Sequence, residues 1–279
     1  MKNRVAIGTK FQFQTSIVGW IDLLGYGAQI KRASYLPTEE DAVSAHERLK
    51  VFHKTVAENS RRNYPSLVMN DGAIFYRDLS YRCPSVTYEF ILRSWKTYNA
   101  VNEMDFALGH PGARMVIAAG FRVRGRRAGL DTSRGHLQSI ISRLEAGTIS
   151  SKQAVHEAMR STPRFDTVPQ LQSNYAFTKA YAAESAGSAA GFKGPGLFID
   201  LALLSEPYQH DVIFSECINW KDSRLDMQGN FGRATSVADK GYGFIPSSSY
   251  HDGLEVAKNI SGDSEILLKL RKNKTGAKR

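Results

Sequence analysis

The chain reads SIVGWIDLLGYG at residues 16–27, an apolar run that ends on Asp22 and passes into a glycine-containing turn. An apolar run bounded by turn residues is typical of a buried strand. Further along, residues 66–76 read SLVMNDGAIFY, in which Asn-Asp-Gly at 70–72 separates two apolar runs. Such a pattern is typical of a tight hairpin. The sequence therefore predicts a strand and a hairpin that carry Asp22 and Asp71 where each strand gives way to a turn.

The rest of the chain alternates between helical and strand patterns. Apolar residues recur at helical spacing from about residue 39 to 60, and a second helix follows Pro84. This order favours an α+β fold in which helices cover one mostly antiparallel sheet. The further elements predicted are strands at 113–119, 196–200 and 211–215, a helix near 176–188, and two short helices between 128 and 163.

The domain organisation predicted from these patterns is simple. We expect one α+β domain over residues 1–240, with a helical insertion at about 128–163. The remaining residues, 241–279, form a C-terminal extension that ends in a basic tail. The sequence contains no internal repeat, and no linker separates the two parts.

The composition is that of an ordinary globular protein, since 42% of the 279 residues are hydrophobic and 23% are charged. Disorder throughout and collagen-like classes are thereby excluded. The two cysteines, Cys83 and Cys217, lie in no CxxC motif, and the seven histidines show no HxxxH spacing, which argues against a disulfide framework or a zinc site. We find no apolar run long enough for a membrane helix and no signal-peptide core, so we expect a cytoplasmic protein without a membrane partner.

The chain is strongly basic, with a net charge of +10 and a pI near 9.6. An excess of this size attracts polyanions such as nucleic acid or nucleotides. One basic cluster lies at Arg122–Arg127 and a second at Lys269–Arg279. Each cluster fits either an anion contact or a solvated surface segment. Nucleic acid is therefore a possible partner through these patches.

Asp22 and Asp71 are the strongest candidates for a functional site. If the first strand pairs beside the hairpin, both carboxylates reach one divalent cation, and oxygen ligands of this kind suit Mg²⁺ or Mn²⁺. The Gly25-Tyr26-Gly27 turn leaves backbone N–H groups that can approach a triphosphate. The alternative is that both are ordinary turn residues, because aspartate side chains commonly bond local backbone there.

Four short motifs resemble those of one enzyme family. IDLLGY at 21–26 resembles the Asp-hydrophobic-hydrophobic-Gly-aromatic signature that opens class III nucleotide cyclase domains, and NDG at 70–72 is similar to the turn with their second metal-binding aspartate. GARMVIAAG at 112–120 resembles their central strand, and FTKAYAAE at 177–184 resembles a later helix. The resemblance covers roughly residues 15–215 and is nearest to the stand-alone pyrimidine cyclases of Pycsar-type antiphage defence.

This resemblance implies a fold and a reaction. The family has a ferredoxin-like antiparallel sheet, forms head-to-tail homodimers, and uses two aspartates, here Asp22 and Asp71, to hold Mg²⁺ or Mn²⁺ over a nucleoside triphosphate. The ribose 3′-hydroxyl attacks the α-phosphorus and pyrophosphate leaves, which forms a 3′,5′-cyclic nucleotide. By the same resemblance, the phosphates would be contacted by Ile21, Leu23, Leu24, Gly25 and Tyr26.

The chain departs from the family at the later helix. Many members carry an Asn and, four residues on, an Arg that orients the ribose and stabilises the transition state, whereas the matching positions here are Thr178 and Ala182. Thr178 could bond a ribose, but an alanine cannot stabilise developing charge. Either another cation takes this role, or the domain does not cyclise. The candidate cations are Lys179, Arg114 and Arg122.

Base selection also differs from that of the purine cyclases. Their base-reading Lys and Asp would fall near Leu67 and Leu171, and neither leucine can bond a base edge. Nearby polar candidates are Gln170, Gln172 and Asn174. The sequence therefore favours a pyrimidine substrate over a purine.

Two functions stay open from the sequence. The first is a metal-dependent cyclase that acts on a nucleoside triphosphate as a homodimer, with a role in antiphage signalling. The second is a catalytically lapsed homodimer of the same fold that binds nucleotide or nucleic acid as a sensor or interaction module.

Overall fold

The computed structural model describes residues 12–124, 133–160, 168–206, 211–241 and 249–275. The chain divides into two compact units. The larger unit comprises Gln14–Phe121 and Asn174–Arg279, and the smaller comprises Met1–Phe13 and Arg122–Ser173.

Seven strands form one mixed sheet in the order β2-β3-β1-β4-β5-β7-β6. Neighbours pair antiparallel at β1–β3, β2–β3, β5–β7 and β6–β7, whereas β4 and β5 run parallel. The predicted α+β class with a mostly antiparallel sheet covered by helices is confirmed. The strands are β1 (Gln12–Leu23), β2 (Ser66–Met69), β3 (Gly72–Asp78), β4 (Ala113–Arg124), β5 (Gly196–Asp200), β6 (Val212–Asp222) and β7 (Met227–Val237).

The helices predicted between the strands are present, and further helices lie near both ends of the chain. The larger unit contains α1 (Tyr26–Arg32), α2 (Glu40–Asn59), α3 (Ser85–Ala107), α6 (Tyr175–Ala186), α7 (Gly253–Ser261) and α8 (Ser264–Thr275). The smaller unit contains α4 (Ser133–Glu145) and α5 (Ser151–Arg160), the two short helices expected between 128 and 163. Among the described residues, no helix combines the length and the apolar character that a membrane crossing requires.

The two faces of β1 have different partners because successive side chains of a strand point to opposite sides. Ile17 and Ile21 are fully buried in the main core together with Phe52 of α2 and Phe90 of α3. Trp20 lies on the opposite face of β1, which Asp22 shares. There its ring contacts α6, with the centroid of Tyr181 at 5.3 Å and that of Phe177 at 6.4 Å.

A glycine on β4 lets α6 approach the sheet closely. A Cβ atom on Gly120 would lie 2.4 Å from the backbone nitrogen of Ala176, which no real contact allows. The helix start and the strand can therefore touch backbone to backbone only with glycine at this position. This is the glycine that closes the motif at 112–120.

Strand β7 and helices α1, α7 and α8 of the larger unit were not predicted from the sequence. The sequence of β7 carries Gly229 and Gly232, which weaken a strand pattern. In the structure the space beside each glycine is occupied by a side chain of another element, Lys179 of α6 at Gly229 and Phe214 of β6 at Gly232. Helix α7 begins where the carboxylate of Asp252 accepts the N–H groups of two following residues, and α8 brings much of the basic C-terminal segment into a helix with Leu270 fully buried.

Candidate functional site

Asp22 and Asp71 lie side by side at one end of the sheet. Asp22 is paired with Gly72 across β1 and β3, and the N–H of Leu23 donates to the carbonyl oxygen of Asp71 over 3.0 Å. A Cβ atom on Gly72 would lie 3.3 Å from an Asp22 carboxylate oxygen, so that carboxylate faces the turn directly. The pairing of strand and hairpin thus brings the two predicted aspartates together.

The turn that carries Asp71 is tightly built. Asn70 takes the left-handed backbone conformation at φ 54°, which asparagine tolerates better than most residues. Its side-chain amide donates to a carboxylate oxygen of Asp71 over 2.9 Å. Its carbonyl oxygen lies 2.8 Å from Nε2 of His53 on α2. Helix α2 therefore anchors the turn, and nothing in the sequence links His53 to it.

The electrostatic environment of Asp22 disfavours its ionised form. Burial, followed by the negative charges of Glu184 and Asp71, raises the pKa of Asp22 to about 7. The positive charges of Arg114 and Arg48 act in the opposite direction but more weakly. Within the described part of the chain, no group donates a hydrogen bond to the Asp22 carboxylate. A partly buried carboxylate of this kind gains most from a bound cation.

The donor set at this corner fits a hard divalent cation that shares its coordination with a substrate. In the residues that the structure describes, no group of three or more His, Cys, Asp or Glu side chains is placed to hold a metal ion. Two carboxylates are nevertheless the usual protein contribution to Mg²⁺, which keeps water and substrate phosphates as its other ligands. Asp22 and Asp71 could therefore hold Mg²⁺ or Mn²⁺ together with a triphosphate.

Two backbone N–H groups of the loop after β1 are already bonded to carbonyl oxygens of the chain. The N–H of Leu23 donates to Asp71, as above, and that of Leu24 donates to the carbonyl of Gly112 over 2.9 Å. Gly25 then takes φ 76°, and α1 starts at Tyr26. The first N–H groups of a helix have no partner within the helix itself. Among the predicted phosphate contacts, the N–H groups of Leu23 and Leu24 are thus bonded within the chain, and contact of Gly25 and Tyr26 with phosphate stays a prediction.

A buried ion pair that the sequence did not reveal supports this loop. Arg48 of α2 bonds both carboxylate oxygens of Asp105 of α3 at 2.7 Å, and each residue is at most 1% exposed. Arg48 also donates to the carbonyl of Leu24 over 3.0 Å, and Asp105 accepts the N–H of Gly112 over 2.8 Å. The only sequence signal was a charged residue inside an apolar helix stripe.

Two of the predicted catalytic cations are held in buried ion pairs. Nζ of Lys179 lies 2.6 Å from a carboxylate oxygen of Asp200 on β5. Arg114 on β4 bonds the Glu184 carboxylate at 2.6 and 3.0 Å and also donates to the carbonyls of Glu184 and Phe192. All four partners of these pairs are less than 10% exposed. Neither cation is free in this arrangement.

The other predicted residues occupy distinct places. Thr178 and Ala182 are partly buried on α6, and the Thr178 hydroxyl donates to the carbonyl of Asn174 over 3.3 Å. The Asn174 carboxamide accepts the N–H of Phe177 and donates to the hydroxyl of Ser16, each over 3.2 Å. It therefore caps α6 and ties it to β1. The predicted residues Gln170, Gln172 and Arg122 belong to the smaller unit.

The basic clusters are only partly described. Arg122 is buried at the end of β4, whereas Arg126 and Arg127 lie outside the described residues. In the C-terminal cluster, residues up to Thr275 form α8, and 276–279 lie outside the description. Contact of either cluster with nucleic acid stays a prediction.

Solved structures similar to this chain include several nucleotide cyclases. The guanylyl cyclase Cya2 is 12% identical, with 85% of this chain and 99% of that chain covered and a TM-score of 0.47. The adenylyl cyclase CyaB from P. aeruginosa is 9% identical, with coverage of 84% and 100% and a TM-score of 0.47. The guanylate cyclase domain of RhGC from Catenaria anguillulae, in complex with GTP, is 9% identical, with coverage of 81% and 100% and a TM-score of 0.43.

No family model and no curated protein matches the sequence. With identities near 10% and TM-scores below 0.5, the similar structures assign no activity to this chain.

Proposed function

We propose that this protein is a metal-dependent nucleotide cyclase that converts a nucleoside triphosphate into a 3′,5′-cyclic nucleotide and pyrophosphate. One observation carries the proposal. Asp22 and Asp71, predicted from the sequence as a cation pair, lie at the paired ends of β1 and β3, and burial together with the negative charges of Glu184 and Asp71 raises the pKa of Asp22. Such a carboxylate pair beside a loop with open N–H groups suits a metal–triphosphate substrate.

In this proposal the residues of the chain position the substrate. When bound, Mg²⁺ or Mn²⁺ neutralises triphosphate charge and orients the α-phosphorus. Asp22 and Asp71 hold that cation, and the N–H groups at Gly25 and Tyr26 face the phosphates. The O3′ atom then bonds to the α-phosphorus, the bond from that phosphorus to the departing pyrophosphate breaks, and the O3′ proton passes to solvent water. Positioning and charge neutralisation supply most of the rate in reactions of this kind.

The cation that stabilises the transition state is the open part of the mechanism. Lys179, Arg114 and Arg122 were predicted for it, and each is buried, with Lys179 and Arg114 held in ion pairs. Lys179 would have to leave Asp200 to serve. We therefore propose a homodimer, in which a second copy can contribute groups to the site.

The proposed substrate is a pyrimidine nucleotide, and the proposed setting is antiphage signalling. The support for the base is that Leu67 and Leu171 occupy the positions where a purine reader would need polar side chains. Leu67 sits partly buried on β2, paired with Ile74 of β3. A contact of Gln170 or Gln172 with a base stays a prediction from the sequence.

The direct test is turnover of purified protein with ATP, GTP, CTP and UTP, each in Mg²⁺ and in Mn²⁺, with cyclic product and pyrophosphate measured together. We expect a cyclic product from CTP or UTP. Asp71→Asn should abolish it, while Glu103→Gln, which removes a charge from an exposed site on α3, should leave it unchanged. Full turnover by Asp71→Asn would refute the metal assignment.

A second candidate function is favoured by the buried ion pairs of Lys179 and Arg114. If both cations stay paired, a protein with Ala182 on α6 could bind nucleotide or nucleic acid without cyclising it. We then expect no cyclic product from any nucleotide. We also expect an association constant for nucleic acid that falls steeply as the salt concentration rises. Metal-dependent binding of a triphosphate without steep salt dependence would favour the cyclase instead.

A further inference from the structure

A polar groove opens where β5 ends before its neighbour does. The last pair between β5 and β7 joins Asp200 to Phe231, after which the chain turns into a short 3₁₀ helix at Leu201–Leu203. The β6–β7 hairpin continues beyond this point, and no described strand pairs with the free edge of Met227–Asn230. The space beside that edge is a groove of about 530 Å³, closed on the far side by the last turn of α7.

Four carboxamide side chains line the groove. Asn219 and Asn230 face each other across β6 and β7, and Gln228 lies two residues from Asn230 on the same strand. None of these three side chains bonds another described residue. Asn259 of α7 uses its amide nitrogen on the carbonyl of Ala202 over 3.3 Å. Since each carboxamide offers both donors and an acceptor, the groove wall can match a ligand edge that mixes the two.

The floor of the groove carries no net charge. Nζ of Lys179 lies 2.6 Å from the Asp200 carboxylate and 5.5 Å from the centre of the Phe231 ring. It reaches the groove beside Gly229, where an added Cβ atom would lie 2.8 Å from Nζ. Because Asp200 neutralises the ammonium, the floor does not select a phosphate or another anion.

We propose that this groove binds a neutral planar heterocycle with a lactam or amidine edge, namely a nucleobase or nucleoside. Carboxamide side chains are the groups that pair with such edges through two hydrogen bonds. The volume suits one small molecule. The free edge of β7 spans only four residues, which is short for the addition of a peptide strand. The site is separate from Asp22 and Asp71, and the inference does not depend on cyclase activity.

The test is a calorimetric titration of the full-length protein with adenosine, guanosine, cytidine and uridine, each in the presence of a chelator. The chelator removes metal-dependent binding at the carboxylate pair, and the nucleosides carry no triphosphate. We expect at least one nucleoside to bind with one-to-one stoichiometry and a Kd below about 1 mM. The variant Asp71→Asn should bind it unchanged.

Groove variants decide whether the binding is at this site. Asn219→Ala with Asn230→Ala should weaken binding at least fivefold, and both side chains are exposed, so the fold should persist by circular dichroism. Gln228→Ala is a second, independent groove variant with the same expected direction. Asn99→Ala, an exposed carboxamide on α3, is the matched control and should bind as the wild type does.

The proposal is overturned if no nucleoside saturates the protein by about 5 mM. It is equally overturned if the groove variants bind as tightly as the control, or if an extended tetrapeptide competes for the groove more strongly than any nucleoside. Loss of binding in Asp71→Asn alone would place the ligand at the carboxylate pair and also refute it.

Discussion

The charge state of Asp22 gives the sharpest prediction about this protein. Replacement of Asp22 by Asn should stabilise the metal-free protein, and it should do so more strongly at pH 8 than at pH 5. Burial and the charges of Glu184 and Asp71 raise the pKa of Asp22 to about 7 from an ordinary value of 3.8. An asparagine at this site has nearly the same shape and never carries the charge.

The sign follows from proton linkage. The folded protein holds the Asp22 proton up to about pH 7, whereas the unfolded chain loses it near 3.8. Between these values the folded state binds more protons, so stability falls as the pH rises and the loss is complete above pH 7. The two pKa values correspond to at most about 4 kcal/mol. Because Asp22 is only partly buried, water screens part of this, and we expect about 1–2 kcal/mol.

The assay is thermal unfolding of wild type and Asp22→Asn in chelator, from pH 5 to pH 8. We expect the Tm difference in favour of the variant to be smaller at pH 5 and to grow to roughly 2–8 °C at pH 8. Addition of Mn²⁺ at pH 8 should raise the Tm of the wild type by mass action but not that of the variant. Glu103→Gln is the control for loss of one negative charge.

Two results would refute the reasoning. If the Tm difference between Asp22→Asn and wild type is the same at pH 5 and pH 8, Asp22 is ionised throughout and its surroundings do not disfavour the charge. If the variant is stabilised at pH 8 but Mn²⁺ stabilises both proteins equally, the raised pKa stands and the cation binds elsewhere.

Three further predictions concern the frame of the site. Arg48→Met should lower the free energy of unfolding by about 3–5 kcal/mol, because it strands the buried charge of Asp105, and chemical denaturation that shows a loss below 1 kcal/mol would contradict the role of this pair. Gly120→Ala should destabilise by about 1–3 kcal/mol, since its Cβ meets the backbone of Ala176, and a neutral effect in the same assay would mean that α6 can shift away. Leu270→Ala should cost about 2–5 kcal/mol if α8 is packed as described, whereas an unchanged midpoint would show that the C-terminal helix is not docked.

The elements that could be predicted are those whose signals are local. The strand that ends on Asp22 is one apolar run, and the Asp71 turn is specified by three consecutive residues that favour tight turns. Strand β7 could not be found in this way, because the space above Gly229 and Gly232 is filled by side chains from distant segments.

The candidate site shows the same division. Which two carboxylates would meet followed from the strand–hairpin pattern, since a hairpin that pairs with its neighbouring strand brings its turn to that strand's end. The carboxylate partners of the predicted cations could not be predicted from the sequence. Lys179 and Arg114 looked available in the sequence, yet each is bound to a carboxylate that lies 21 and 70 residues away respectively.

The sequence by itself determined the order of most strands and helices, the turn chemistry and the positions of Asp22 and Asp71. Tertiary structure alone decided which charges are paired, as with Arg48 and Asp105, which lie 57 residues apart. The physical reason is that a buried charge must be neutralised by whatever partner the packing brings within bonding distance. Local sequence records the charge, and only the assembled sheet and helices supply the partner.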